Sequence, residues 1–165
     1  METAFYKSSI GLLEIKGSES GITSVNFIDA TATAAAAATA AAMTSSLTDC
    51  VKQLDEYFNG KRKSFDLKFD LSGTDFQKKV WIELLKIPFG KTCSYIDLAK
   101  KLGNKMSLRA VGNANGKNPV SIIIPCHRVI GSNGKLIGFG GGLWRKKWLL
   151  DFEKNTTQGN LFASS

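Results

Sequence analysis

Three observations predict an α+β fold in two parts. Apolar and polar residues alternate with period two only before Ser72, the 3.6-residue spacing of helices dominates afterwards, and Ser72-Gly73 reads as the linker. The prediction is a small N-terminal sheet-plus-helix domain over residues 1–72 and a mainly helical domain over residues 73–155, with a tail over residues 156–165. The helical domain contains a helix-turn-helix and a cysteine-bearing loop.

In the first part, residues 4–29 read as short strands with turns at Gly11, at Ser18 to Gly21 and at Asp29. Val25, Asn26, Phe27 and Ile28 form a half-buried strand. Residues 31–42 are only Ala and Thr, so they carry no chemistry, and both a surface helix and a disordered loop stay open. Leu47, Cys50, Val51, Leu54 and Phe58 recur at helical spacing before Gly60, which predicts a helix over residues 46–59 with Cys50 in the core. Phe65, Leu67, Phe69 and Leu71 alternate with Asp66, Lys68 and Asp70, the pattern of a closing strand with one wet face.

In the second part, Thr74 caps a helix whose apolar residues Phe76, Val80, Trp81, Leu84 and Leu85 share one face. Ser94 and Asp97 have the S-x-x-D spacing of a helix start, followed by the stripe Tyr95, Leu98, Ala99 and Leu102 and a stop at Gly103. Ser107 caps another short helix with Leu108, Val111 and Ala114 inward and Gly116 at its end. Two short helices joined tightly resemble a helix-turn-helix. Ser107, Ala110 and Ala114 are small and spaced to line a face of the second helix, and Gly112 and Asn113 shorten the neighbouring positions, so a backbone or groove can approach, with Arg109 projecting among them. A helical hairpin with a solvated arginine is the plainer reading of that pattern.

With 165 residues and 43% hydrophobic content the chain can bury a core without staples. Its three cysteines, Cys50, Cys93 and Cys126, form no framework and no four-ligand cluster, which predicts a reducing compartment and no structural zinc. No signal pattern opens the sequence and no apolar run approaches the roughly 20 residues of a membrane span, so the expected location is cytoplasmic, or nuclear in a eukaryote. The 22 Lys and Arg against 14 Asp and Glu leave a net charge of +8, which favours a polyanion such as nucleic acid. Lys100, Lys101, Lys105, Arg109, Lys117, Arg128, Lys135, Arg145, Lys146 and Lys147 place the binding face in the second half.

The run Pro125-Cys126-His127-Arg128-Val129 sets a nucleophile, an imidazole and a guanidinium side by side. Positive charge or a base beside a thiol lowers its pKa, and both His127 and Arg128 can do so for Cys126. Pro125 ends the ladder after the apolar run Val120-Ser121-Ile122-Ile123-Ile124, and His127 is the sole histidine. A reactive cysteine is one reading and an ordinary buried cysteine at a strand end is the other. Local sequence alone leaves hydrolase, redox and transferase chemistry open.

Arg109-Ala110-Val111-Gly112-Asn113-Ala114-Asn115, Lys117-Asn118-Pro119-Val120, Ile124 to Val129, Gly138-Phe139-Gly140-Gly141-Gly142-Leu143, and Trp148-Leu149-Leu150 through Glu153 follow in order. Together they resemble the O6-alkylguanine-DNA alkyltransferases over about residues 75–153, while the N-terminal part resembles that family only in its coarse plan. The resemblance implies direct-reversal repair in which Cys126 takes the alkyl group from guanine O6, and from O4-alkylthymine as well, irreversibly and once per molecule.

By the same resemblance His127 is the base that activates Cys126 through a water, Glu153 orients His127, and Asn118 holds the active-site turn. Side chains of consecutive residues diverge in extended backbone, which agrees with the intervening water. Tyr95 resembles the phenol that stabilises departing guanine, and guanine does need such a donor because it otherwise leaves as an anion. Backbone groups of Cys126, Val129 and Gly140 are implied to read the guanine edge. Arg109 resembles the finger that fills the space of a nucleotide flipped from the stack, since a thiolate cannot reach behind the alkyl carbon there. The second helix is implied to lie in the minor groove, with Ser107, Ala110, Gly112, Asn115 and Arg128 as DNA contacts.

Phe139 and Gly140 stand where some members have tyrosine and serine, which implies a roomier, less polar pocket. Zinc ligands of some relatives have no counterpart, and no cofactor is implied. The implied partner is double-stranded DNA containing O6-alkylguanine, bound by a monomer, with cooperativity on DNA left open. Two further readings are a noncatalytic binder of alkylated DNA, against which Cys126 speaks, and a DNA-binding regulator or cysteine hydrolase.

Overall fold

The computed structural model describes residues 1–28, 44–103 and 107–157. The Asp29 turn, the Ala/Thr run, Lys105 and residues 158–165 of the tail lie outside them. The chain divides into two compact units, residues 1–72 with 119–121, and residues 73–118 with 122–165.

The first unit is an antiparallel sheet in the order β1 (Glu2–Ser8), β2 (Gly11–Ser18) and β3 (Gly21–Ile28). Gly21, at φ +134°, turns into β3 where any Cβ would collide with the backbone of Lys68 and Phe69. Ala4, Leu13, Ile15, Ile22 and Val25 are buried, and α1 (Ser45–Phe58) contributes Leu47, Cys50, Leu54 and Tyr57 with no exposure. Burial pushes the Cys50 thiol up to about 12, so it is an apolar filler and not a reagent.

Residues 65–71 do not form the expected strand. The alternation is real, since Phe65, Leu67 and Phe69 are less exposed than Asp66, Lys68 and Asp70, but pairing is confined to a parallel bridge between Ile22 and Phe69. Asp66 is paired instead by a side chain: its N–H donates to Gln53 Oε1 at 2.9 Å and its carbonyl accepts from Gln53 Nε2 at 3.0 Å. An amide side chain thus replaces a neighbouring strand.

The second unit opens with α2 (Asp75–Leu84), started by a full capping box in which Thr74 Oγ1 accepts from Gln77 N and Gln77 Oε1 from Thr74 N, both at 3.0 Å. Val80, Trp81 and Leu84 are buried, whereas Leu85, expected on the same face, is 44% exposed because the helix has ended. The short β4 (Cys93–Ser94) leads into α3 (Tyr95–Lys101), and α4 (Leu108–Gly116) packs on it. Ser94 Oγ accepts from Asp97 N and Ser107 Oγ from Ala110 N, so both short helices start at the predicted caps. Trp81 Nε1 donates to Ala114 O at 2.9 Å, which anchors α4 on α2.

In the run 120–124 the apolar residues Val120, Ile122, Ile123 and Ile124 are buried, but pairing is confined to a parallel bridge between Val120 and Val25, and residues 121–123 form a turn, not a strand. Ile122 sits at φ +73°, a left-handed conformation that a β-branched residue adopts only under constraint. A single 3₁₀ turn follows at Cys126–Arg128, then β5 (Val129–Ile130), parallel to β4. The backbone at Cys126 and His127 is therefore helical, and the extended-backbone reason for their side chains diverging does not apply. The last element is α5 (Leu143–Thr157). The α+β class predicted from sequence is the observed one. No helix among the described residues is long and apolar enough to cross a membrane.

Candidate active site

The 3₁₀ turn holds three consecutive buried residues, with Cys126 7% exposed, His127 fully buried and Arg128 6% exposed. The turn is locked from several sides. Cys126 N–H donates to Ile124 O at 2.8 Å, Arg128 N–H to Pro125 O at 3.0 Å, and Asn118 Nδ2 to Ile124 O at 2.7 Å. Val129 N–H donates to Cys126 O. The N–H groups of Cys126 and Val129 are thereby occupied within the turn and are not free donors for a base edge.

Glu153, on the buried stripe of α5, lies beneath this turn. It accepts from His127 Nε2 at 2.8 Å and from Arg128 Nε and Nη2 at 2.8 and 2.9 Å. Arg128 Nη1 donates to Ile87 O at 2.7 Å, and its guanidinium sits 5.7 Å from the centre of the Phe89 ring. Burial raises the Glu153 carboxyl, but His127 and Arg128 outweigh it and hold the group well below the ordinary carboxylate range. Burial lowers His127, with Glu153 pulling the other way, so the imidazole is neutral with its proton on Nε2. His127 Nδ1 is then a lone-pair acceptor, buried and without a hydrogen-bond partner among the described residues.

Arg128 is consequently no DNA contact and no source of free positive charge: its guanidinium is buried and paired with Glu153. The expectation of a lowered thiol is overturned with it. Burial pushes Cys126 above the usual thiol range, although Asn118 and Lys146 draw it down. The resting sulfur is a thiol that needs a base to take its proton.

A cavity of about 660 Å³ with largely apolar walls is lined among others by Tyr95, Leu108, Arg109, Asn115, Phe139 and Gly140; Cys126 is not in its wall, and Asn115 links the wall to the turn. Leu108, expected to point inward, is 49% exposed and forms part of this wall. Arg109 and Ser107 are exposed, while Ala110 and Gly112 are half-buried on the same helix. Asn115, expected as a DNA contact, is instead 3% exposed, and its Nδ2 lies 3.5 Å from Cys126 O. Tyr95 Oη donates to Ile137 O at 3.1 Å. A Cβ added to Gly140 would meet nothing within 4 Å.

Lys146 is the residue that sequence reasoning missed. Its place among the cations of the second half predicts surface exposure, yet it has none, and its Nζ donates to Ile137 O at 2.9 Å and Gly138 O at 3.2 Å. Burial pulls it down to about 8, with Cys126 acting against that. The signal was its spacing: Lys146, Leu149, Phe152, Glu153 and Thr156 occupy one stripe of α5. Among the described residues no group of three or more His, Cys, Asp or Glu is arranged to hold a metal.

Residues 75–155 match the family profile "6-O-methylguanine DNA methyltransferase, DNA binding domain", and residues 1–71 match "6-O-methylguanine DNA methyltransferase, ribonuclease-like domain". The chain is 43% identical over 153 residues to a methylated-DNA–protein-cysteine methyltransferase of Methanosarcina acetivorans, covering 93% of this chain and 98% of that one. It is 44% identical over 154 residues to the protein of that name from Mycobacterium bovis, covering 93% of each. Its fold is similar to the crystal structure of Mycobacterium tuberculosis OGT in complex with DNA, with a TM-score of 0.82, 41% identity and 94% of each chain covered.

Proposed function

Because the chain belongs to the 6-O-methylguanine DNA methyltransferase family, we propose that it repairs DNA by moving an alkyl group from O6-alkylguanine to Cys126. It acts as a methylated-DNA–[protein]-cysteine S-methyltransferase on double-stranded DNA, and each molecule reacts once. The observation that carries this reading is the buried His127–Glu153 pair, which leaves a neutral imidazole with an unpartnered Nδ1 next in sequence to a protonated thiol.

His127 Nδ1 takes the Cys126 proton, directly or through a water, as the substrate enters. The sulfur then attacks the alkyl carbon, an S–C bond forms, and the C–O6 bond breaks with its electron pair passing to the base. Guanine leaves with a hydrogen bond from Tyr95 Oη and recovers its keto form on taking up a proton. The thioether has no leaving group that water displaces readily, so the protein is consumed. Glu153 fixes the imidazole tautomer, Arg128 fixes Glu153, and Asn118 fixes the turn.

The target atom is stacked inside duplex DNA, so the nucleotide is flipped into the cavity. The cavity's volume and apolar walls suit a purine with its adduct and also O4-alkylthymine. Arg109, exposed at the cavity edge, fills the vacated stack, while Ser107, Ala110 and Gly112 let α4 approach the minor groove. Phosphate contacts from the basic half give binding that weakens steeply with salt.

Duplex DNA bearing O6-methylguanine tests the reading. Intact-mass and peptide mass spectrometry should find the mass of one methylene added at Cys126 and nowhere else, and Cys126→Ala should bind the duplex without gaining mass. Tight binding with Cys126 unmodified would instead make the protein a noncatalytic reader of alkylated DNA.

A further inference from the structure

Asn115 is a buried polar residue with no part in the chemistry above. It stands on the last turn of α4, three residues beyond Gly112, and α4 packs there against Tyr95: a Cβ on Gly112 would lie 4.0 Å from Tyr95 Cε1. Both Asn115 and Tyr95 line the cavity. The amide nitrogen of Asn115 lies 3.5 Å from Cys126 O, while its oxygen is buried and has no hydrogen-bond partner among the described residues. Turning the amide over would set its oxygen against the Cys126 carbonyl, so the nitrogen end faces the turn. Tyr95 stands in the same cavity wall, where burial raises its phenol and the Asn115 amide draws it back down.

We propose that Asn115 is a positioning residue for alkyl transfer, its amide N–H groups holding the Cys126 carbonyl and the Tyr95 hydroxyl so that the phenol directs its own proton at the departing base. The inference rests on the transferase reading above. A phenol has one proton to give and lone pairs to receive with. When an amide N–H occupies a lone pair, the hydroxyl proton must turn elsewhere; at rest it turns to Ile137 O. With a nucleotide bound, the same proton meets the negative charge that develops on guanine, and the same amide ties that donor to the backbone carrying the nucleophile.

The test is a double-mutant cycle read by single-turnover transfer from a duplex with O6-methylguanine. Asn115→Asp keeps the shape and removes the N–H groups, and Asn115→Leu removes both polar ends. Each should slow transfer about five-fold or more, the weight of one ordinary hydrogen bond, with little further loss in a Tyr95→Phe background. Asn115→Gln, which retains the donor, should recover part of the rate. Ultraviolet titration, with Tyr95→Phe subtracted to remove Tyr6 and Tyr57, should show Tyr95 ionising at higher pH in both variants. If Asn115→Leu fails to fold, judged by circular dichroism and DNA affinity, Asn115→Asp decides both comparisons. Equal losses in the two backgrounds, or an unmoved Tyr95 titration, overturn the proposal. A parent protein that transfers nothing overturns the transferase reading and this one with it.

Discussion

Glu153→Gln strikes the one carboxylate that joins the base to the fold. Glu153 is 1% exposed and receives three charge-assisted or imidazole hydrogen bonds, one from His127 and two from Arg128. Gln replaces one oxygen with an NH₂ group, so in either orientation a donor of His127 or Arg128 meets another donor. The Arg128 guanidinium is also left buried without its counter-charge. Removing one partner of a buried pair costs about 3–5 kcal/mol. At roughly 2–4 °C per kcal/mol for a chain of this size, the thermal midpoint should fall by about 6–20 °C. Transfer should fall about 100-fold or more, the share of a positioned general base.

Acid adds a second signature. The Glu153 carboxyl titrates below its unfolded value of about 4.3, so its stabilisation is fully present above that value and is lost as the pH falls through the folded one. Parent stability should therefore drop below about pH 4, and the Gln variant's curve should be flatter there. Calorimetry across this range, with single-turnover transfer at neutral pH, measures all three effects. A midpoint within about 2 °C of the parent and a rate within about three-fold would refute the reasoning.

Lys146→Met should slow transfer about ten-fold by freeing the Ile137 and Gly138 carbonyls and removing the cation facing Cys126. Because Lys146 titrates at about 8 in the fold and near 10.4 unfolded, its contribution to stability rises with pH between those values, and calorimetry should find the rise reduced in the variant. Gly140→Val fills open space in the cavity and should cut transfer from O6-benzylguanine at least about ten-fold more than from O6-methylguanine, with the midpoint unchanged; equal losses on the two adducts would remove Gly140 from the pocket wall. Arg109→Ala should slow single-turnover transfer about ten-fold while duplex affinity, read by fluorescence anisotropy, changes far less, and a parent-like rate would end the finger assignment.

The helices were legible because their signals are local. Thr74, Ser94 and Ser107 cap what they were expected to cap, and Cys50 and Trp81 are in the core where their spacing put them. What sequence misread depends on partners distant along the chain. Residues 65–71 have a strand's alternation, but their pairing was taken over by Gln53. Arg128 reads in sequence as surface charge because nothing local shows that Glu153 and Ile87 hold it. Lys146 was hidden by its exposed neighbours Trp144 and Lys147, though its place on the stripe with Leu149 and Phe152 marked it as inward. The reactive turn was legible as a motif, while the raised thiol was not, since burial is a property of the packed chain.

Lys146 and Glu153 are seven residues apart on one uninterrupted helix, close to two full turns. One contacts the cavity loop and the other the nucleophile's base, so a single rigid rod sets both at once. The tolerance of this chain to insertion and deletion is therefore uneven. Length changes near Ser132 to Gly134, in an exposed turn, leave that rod intact. One residue inserted between Lys146 and Glu153 would rotate them about 100° relative to each other, so that no placement of the helix serves both ends. Natural and engineered variants of this protein should accordingly vary in the loop and hold the helical spacing fixed.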